Sequence, residues 1–430
     1  MMEATASKSA LTIKVTFLVI VGLFLSVPIA NDLYPVLQER APEGMPMANP
    51  APPFSRQGFL KRSWQKSLET RAKRSSGLWY PLTLLANEIY ARGFDQISAF
   101  HVGSIRVGHE NQLFQTAHLA TLNHKLPKNF KKLDQRVLDI KELQDRLKAR
   151  GTSLLIVATP NMAHLYPELI PQGYLDPSRK KRPHPYDLVE KAFEENGIVY
   201  VDTADVLKVA QSKVPFRFFA TSASHWNDVA SCLALQAINN KLKEMGGSSF
   251  RAFSCDNYTV EPEPRHKDKD LLQIANVLFP KRFYEPTPYV SITYQEPEPS
   301  RQPSTLLVGT SYLFALSEHL YDWNLAKVHK LFFYFRQWRY GGESSFHSLP
   351  KERVNWDEIL SNEIIIVNVG IGNPVTIGYG FIEAALAELK KREGVSSSEA
   401  SAKPNLAAKG TVQSKTGDSV KATVVSPTKG

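Results

Sequence analysis

Thr305-Leu306-Leu307-Val308-Gly309-Thr310-Ser311-Tyr312 is the stretch whose reading decides the fold. Leu306, Leu307 and Val308 form a short apolar run, the pattern of a strand buried on both faces. Gly309 breaks the run, and Leu313-Phe314-Ala315-Leu316 opens a helix. A sharp strand-to-helix turn presents its residue beyond the sheet edge, beside the positive end of the helix. Ser311 sits at that turn, in the setting of a serine nucleophile. Most Gly-Thr-Ser turns only cap a helix. A second stretch, Ser224-His225-Trp226-Asn227-Asp228, supplies the base such a nucleophile needs.

Working outward, the same strand-like runs recur. Leu133, Val137, Ile140, Leu143 and Leu147 follow helical spacing up to Gly151, and Leu154-Leu155-Ile156-Val157-Ala158 follows as a buried strand. A helix over 186–195 leads through Asn196-Gly197 into the strand 198–201, with Asp202 just past its end. Val229, Leu233, Ala237, Ile238 and Leu242 mark a helix after His225, and 331–335 and 364–367 read as further strands. Alternating helices and apolar strands predict an α/β body with a mainly parallel sheet flanked by helices. Ligands of such sheets bind beyond the carboxyl ends of the strands.

The chain has 430 residues and a net charge of +10. Its basic runs, Arg56 to Arg74 and Arg179 to Arg182, read as solvated surface, with an acidic polymer or an anionic membrane as the sharper alternative. No zinc-finger spacing, recognition-helix pattern or aromatic ribonucleoprotein motif points to nucleic acid. Val15 to Ala30 is almost wholly apolar after Lys8 and Lys14, which predicts an uncleaved membrane anchor with a cytoplasmic N-terminus; a cleaved signal peptide is the rival. The predicted organisation is an anchor or signal over 1–31, a proline-rich linker over 32–76, a body over 77–392 and a disordered tail over 393–430. Within the body, residues 250–303 read as a Pro- and aromatic-rich insertion without helical period. Cys232 and Cys255 pair if the compartment is oxidising, or stay as buried thiols.

Four pieces stand in one order: Gly103 to Phe114; Thr159-Pro160-Asn161 with Tyr166-Pro167-Glu168; Ser224-His225-Trp226-Asn227; and Val308-Gly309-Thr310-Ser311-Tyr312. Together they resemble the polysaccharide O-acetyltransferases of the alginate-acetylation type, SGNH-hydrolase-like proteins that are periplasmic or membrane-anchored. The resemblance spans roughly residues 100 to 380. It implies an SGNH-hydrolase-like fold and an O-acetyltransferase that moves acetyl through a serine ester to hydroxyls of an exported polysaccharide. Ser311 is the implied nucleophile and His225 the general base. The implied setting is the periplasmic face of the bacterial inner membrane, with a membrane-bound acyltransferase as acetyl donor and no cofactor or metal. Gly341 and Gly342 are candidate backbone donors to an oxyanion. The family's acid two residues before the histidine is replaced here by Ala223, and Met162 and Asn368 also depart from its charged residues. Asp202 and Asp228 are the candidate replacements for that acid, with Ser222, Ser224 or a backbone carbonyl as other ways to orient the imidazole. Two other readings stay open: an acetyl esterase of the same fold, and a non-catalytic polysaccharide-binding or assembly subunit.

Overall fold

The computed structural model describes residues 12, 14–23, 26–27, 30–31, 34, 40–45, 53–75, 77–99, 102–126, 130–171, 173–327, 329–350, 353–371 and 376–394. The chain divides into two compact units, 1–386 and 387–430. The second holds the last residues of a helix over Phe381–Arg392. Most of the expected tail lies outside the described residues.

The first unit is built on one sheet. In chain order its strands are β1 (Ser153–Thr159), β2 (Tyr200–Asp202), β3 (Thr305–Gly309), β4 (His329–Phe333), β5 (Gln337–Tyr340), β6 (His347–Ser348) and β7 (Ile364–Gly370). Their order across the sheet is β6-β5-β4-β3-β7-β1-β2. The five strands from β4 to β2 are parallel, and β5 and β6 add an antiparallel hairpin at one edge. Every residue of β1 and β3 is buried, which is why both read as continuous apolar runs. The fold is therefore the expected α/β arrangement. Register aligns Val308 of β3 with Val367 of β7, and Gly370 of β7 with Thr159 of β1. The carboxyl ends of these strands thus share one edge.

The helices that position the site are α1 (Leu133–Lys148), α2 (Pro185–Glu195), α3 (Thr203–Gln211), α4 (Asp228–Glu244), α5 (Asp270–Ala275) and α6 (Leu313–Asp322). In α1 the spaced residues Val137, Ile140, Leu143 and Leu147 are all buried. Gln144 on the same face donates to the carbonyls of Leu154 and Val199, tying α1 to β1 and to the start of β2.

The segment 250–303 is more than loop. It contributes α5, whose Leu271, Leu272 and Ala275 pack into a second core with Ile97, Ile105 and Leu113. Those three residues come from a small antiparallel sheet of Gln96–Ala99, Gly103–Val107 and Leu113–Gln115. Cys255, at the start of the same segment, forms a disulfide with Cys232 of α4.

The expected linker holds two helices, Arg56–Leu60 and Ser63–Ser75, and Phe54, Phe59 and Trp64 pack on one another beside them. All six prolines of 32–76 lie N-terminal to residue 54, ahead of both helices. Part of the apolar N-terminal stretch lies outside the described residues; 14–23 are helical. Among the described residues no helix is long and apolar enough to cross a membrane.

The disulfide closes a loop with a sequence separation of 23 residues. A covalent closure of this size removes about 3 kcal/mol of unfolded-chain entropy. Replacing both Cys232 and Cys255 by alanine should lower the urea midpoint correspondingly. A midpoint equal to that of the oxidised wild type would show that the pair is not bonded.

Candidate active site

Ser311 follows β3 directly, in the turn that leads into α6. Gly309 is required there: a Cβ would lie 2.5 Å from Cβ of Asn368 and 2.9 Å from Cδ1 of Leu313. Asn368, wholly buried in β7, locks the turn. Its Oδ1 accepts from the backbone N–H of Thr310 at 3.1 Å and from Oγ1 of Thr310 at 2.7 Å. Its Nδ2 donates to Oγ1 of Thr159 at 2.8 Å. One amide thus ties together the ends of β3, β7 and β1.

The histidine turn is fixed from the other side. Nε2 of His225 lies 2.6 Å from Oγ of Ser311. Tyr312 joins the two turns: its hydroxyl donates to the carbonyl of Ser224 at 3.1 Å, and its ring meets those of His225 and Trp226 edge-on. Asn227 caps α4 by accepting from the N–H of Ala230, so the helix starts where His225 needs the chain to turn away.

Behind the imidazole stands Asp270, the first residue of α5. Its Oδ2 lies 2.5 Å from Nδ1 of His225 and accepts from Oγ of Ser224 at 2.7 Å. Its Oδ1 accepts from the backbone N–H groups of Ser224 and Leu271, each at 2.8 Å. Burial alone would raise the pKa of this carboxyl. The bonds from His225 and Ser224, with the charge of His225, outweigh it and hold the group below the usual carboxylate range. The three side chains form a Ser-His-Asp line.

The acid expected two residues before the histidine is therefore supplied from 45 residues after it. Ala223 is wholly buried, and Ser222 beside it donates to the carbonyl of Asp268. Neither expected replacement reaches the ring. Asp202 caps α3 through the N–H of Ala204. Asp228 is held by Lys267 at 2.7 Å and by the N–H of Val290. Gly341 and Gly342 do not line the cleft either. They follow β5, where a Cβ on Gly341 would strike the ring of His329 and one on Gly342 the ring of Tyr321. Ring packing, not an oxyanion, explains both glycines.

The Ser311 hydroxyl faces a cleft of about 560 Å³ lined by His118, Asn161, Thr310, Tyr334, Gly370 and Tyr379 among others. Asn161 uses Oδ1 to accept from the N–H of His164, and its Nδ2 has no partner among the described residues. The same holds for the backbone N–H of Ser311. Tyr334 and Tyr379 meet edge-on at 4.8 Å, and both hold left-handed backbone, with φ of 52° and 53°. His118 is the residue sequence reasoning missed altogether. Burial first, then the charge of His225, pushes its imidazole down to about 4, with Asp270 opposing, so it stays neutral at neutral pH. Its Nδ1 is buried without a partner among the described residues.

A serine, a histidine and an ionised acid in line at the carboxyl edge of a mainly parallel sheet define an SGNH-hydrolase-like domain. The model of the family described as ALGX, SGNH hydrolase-like domain of the acetyltransferase AlgX, matches residues 105–327, half of the chain, and the chain belongs to that family. Among solved structures it is similar to the O-acetyltransferase domain of Pseudomonas putida AlgJ, at 14% identity, covering 67% of this chain and 99% of that one, with a TM-score of 0.44. It is similar to Pseudomonas aeruginosa AlgX at 14% identity, covering 65% and 66%, with a TM-score of 0.40. The corresponding values for Bacillus cereus PatB1 are 10%, 58%, 92% and 0.36. No curated protein matches the chain.

Two of these pKa shifts make acid destabilising. Unfolded histidine binds a proton near 6.5, while folded His118 refuses one until about 4. The unfolded chain therefore holds more protons between those values, and stability falls as pH falls through that window. Asp270 has a lowered folded pKa, so its contribution is lost as pH falls through that value. The urea midpoint should drop from pH 7 to pH 4.5, and His118→Asn should make the drop shallower. An identical pH slope in the variant would show that His118 titrates as a solvated imidazole.

Proposed function

We propose that the chain is a polysaccharide O-acetyltransferase that works through an acetyl ester on Ser311, with His225 as general base and Asp270 orienting it. The observation that carries this reading is the unbroken line from Oγ of Ser311 through the imidazole to the Asp270 carboxylate. Membership of the acetyltransferase family supports it.

In the first half-reaction Nε2 of His225 takes the Ser311 proton as Oγ attacks the acetyl carbonyl of the donor. The tetrahedral intermediate places negative charge on the former carbonyl oxygen. The Ser311 N–H and the Asn161 amide are the donors we assign to that oxygen, in place of Gly341 and Gly342. Collapse expels the donor's leaving group, which takes the proton from His225 and leaves acetyl-Ser311. In the second half-reaction His225 takes the proton of a sugar hydroxyl, whose oxygen attacks the acetyl ester. Ser311 leaves and recovers the proton. Asp270 keeps Nδ1 of the ring protonated, so that Nε2 is the basic nitrogen, and offsets the positive charge the ring carries between steps.

The reading as a non-catalytic binding subunit rests on Ala223, the aromatic-rich segment 250–303 and the basic surface; Asp270 behind the ring speaks against the first of these. An esterase would use the same line with water as acceptor. The acetyl donor we assign is a membrane-bound acyltransferase, and the location we assign is the periplasmic face of the inner membrane, with the apolar N-terminal stretch as an uncleaved anchor. Sequencing the N-terminus of the mature protein checks the last point, since a start at Asn31 would reject it.

Ser311→Ala should abolish acetyl transfer to a polysaccharide acceptor. Asp270→Asn should lower kcat on the order of 10⁴-fold while near-UV circular dichroism stays as in wild type. Transfer by Ser311→Ala at the wild-type rate would sink the serine-ester mechanism. Full activity in Asp270→Asn would remove the orienting role and leave a Ser-His pair. Acetate released faster than acetyl-sugar formed, at saturating acceptor, would favour the esterase.

A further inference from the structure

The helix Trp79–Phe94 turns the usual pattern of a surface helix inside out. Two of its polar side chains face the protein. Asn87 is buried and donates through Nδ2 to the carbonyls of Ser98 and Ala275, at 3.1 Å and 2.7 Å. Glu88, also buried, pairs with Arg92 at 2.6 Å and with Arg282 at 2.9 Å. These bonds fix the rotation of the helix on the small sheet and α5. The outward face is then apolar: Leu82, Leu85, Ile89, Tyr90 and Phe94 are between 40% and 65% exposed. Leu278 and Phe279, just after α5, are exposed too, and the N–H of Phe279 donates to Glu88 at 3.3 Å, so the patch continues onto them. Lone exposed apolar residues are ordinary; a run along one helix face, extended by its neighbours, marks a surface that something covers.

The chain that enters the body at this place indicates the cover. Arg40 lies over the ring of Tyr80, at the start of the helix, 4.2 Å from its centroid. The N–H of Glu43 donates to Oδ1 of Asn276 at 2.8 Å, and Nδ2 of Asn276 donates to the carbonyl of Glu43 at 3.1 Å. Asn276 directly follows α5, two residues before Leu278. Residues in 40–45 are thus tied down beside the patch, at its helix and at its loop. Upstream in sequence is the apolar helical stretch 14–23, where Phe17, Leu18 and Leu23 are between 63% and 66% exposed. A protein partner on the helix would leave that stretch bare, whereas a bilayer covers both. Tyr90, its ring 5.8 Å from that of Phe94, joins an apolar body to a polar tip, the type favoured at the headgroup level.

We infer that this face of the helix Trp79–Phe94 lies on the lipid surface of a bilayer, with Leu85, Ile89 and Phe94 in the acyl boundary and residues 40–45 strapping the body down beside it. The inference rests on the membrane location assigned above only in needing a bilayer beside the chain. An anchor alone leaves the body free to tumble on its tether; a seated helix fixes which way the body faces.

The test uses the full chain mixed with vesicles of phosphatidylethanolamine and phosphatidylglycerol. Cys232 and Cys255 are bonded to each other, so Leu85→Cys takes a single nitroxide label. Val209→Cys, at an exposed apolar residue of α3, is the control. Flotation reports whether the vesicles carry the chain. On them the label at 85 should gain access to dissolved oxygen several-fold over access to a water-soluble nickel chelate, and the label at 209 should not. Adding Leu82→Asp and Ile89→Asp, both at exposed positions, should return the label at 85 to nickel with far-UV circular dichroism unchanged. A floating chain whose residue 85 stays open to nickel would overturn this inference and leave the anchor standing. A chain that stays in solution would overturn both. Shielding of residue 85 that is equal with and without vesicles, in a chain sedimenting as a dimer, would give the face to a second copy instead.

Discussion

The carboxylate of Asp270 accepts from four donors: the N–H and hydroxyl of Ser224, Nδ1 of His225 and the N–H of Leu271. A part-buried acid with that many donors stays charged, and its bonds are charge-assisted and short. The same contact docks the segment 250–303 onto the histidine turn. Leu272 adds a backbone bond to the carbonyl of Ser222, and Ser222 returns one to Asp268. The small sheet closes the arrangement, because Leu113 donates its N–H to the carbonyl of Thr221. Two separate pieces of chain meet at one carboxylate, and a third, the small sheet, braces the turn beside it.

On the nucleophile side the constraint is closeness. Gly309 lets Asn368 approach β3, and Asn368 then spans three strand ends with one amide. The position that departs from the family's charged residue is thus filled by a group that can donate and accept at once. A carboxylate in its place could not donate to Thr159. Tyr312 carries the constraint across to His225. The Ser311–His225 distance is set by the hydrogen bonds that hold each turn to the neighbouring strand and helix ends.

What the sequence disclosed follows from burial. Strands covered on both faces must be apolar throughout, so β1, β3 and β7 were legible, as was α1 from its 3.6-residue spacing. Ser311 and His225 were legible because each lies in a short run with a fixed order. Asp270 was not. It ends the run His266-Lys267-Asp268-Lys269-Asp270, inside the segment 250–303, which reads only as a Pro- and aromatic-rich insertion without helical period. The available signal was the apolar pair Leu271-Leu272 directly after an acid, the start of a short buried helix. Gly341 and Gly342 misled for the opposite reason. Glycine marks close approach, but sequence does not say to what, and here the neighbours are aromatic rings. His118 carried no motif at all; its place in the cleft comes from the helix Thr116–Thr121.

Ala223 has a wider meaning for how such chains are sorted. A scan that scores only the residue two before the histidine registers a vacancy here, yet the space behind the ring holds an acid. Because Asp270 comes from a separate stretch of this chain, the ring has an acid behind it although position 223 carries none. Chains set aside as degenerate for want of that one residue therefore belong in a search by geometry, not by spacing.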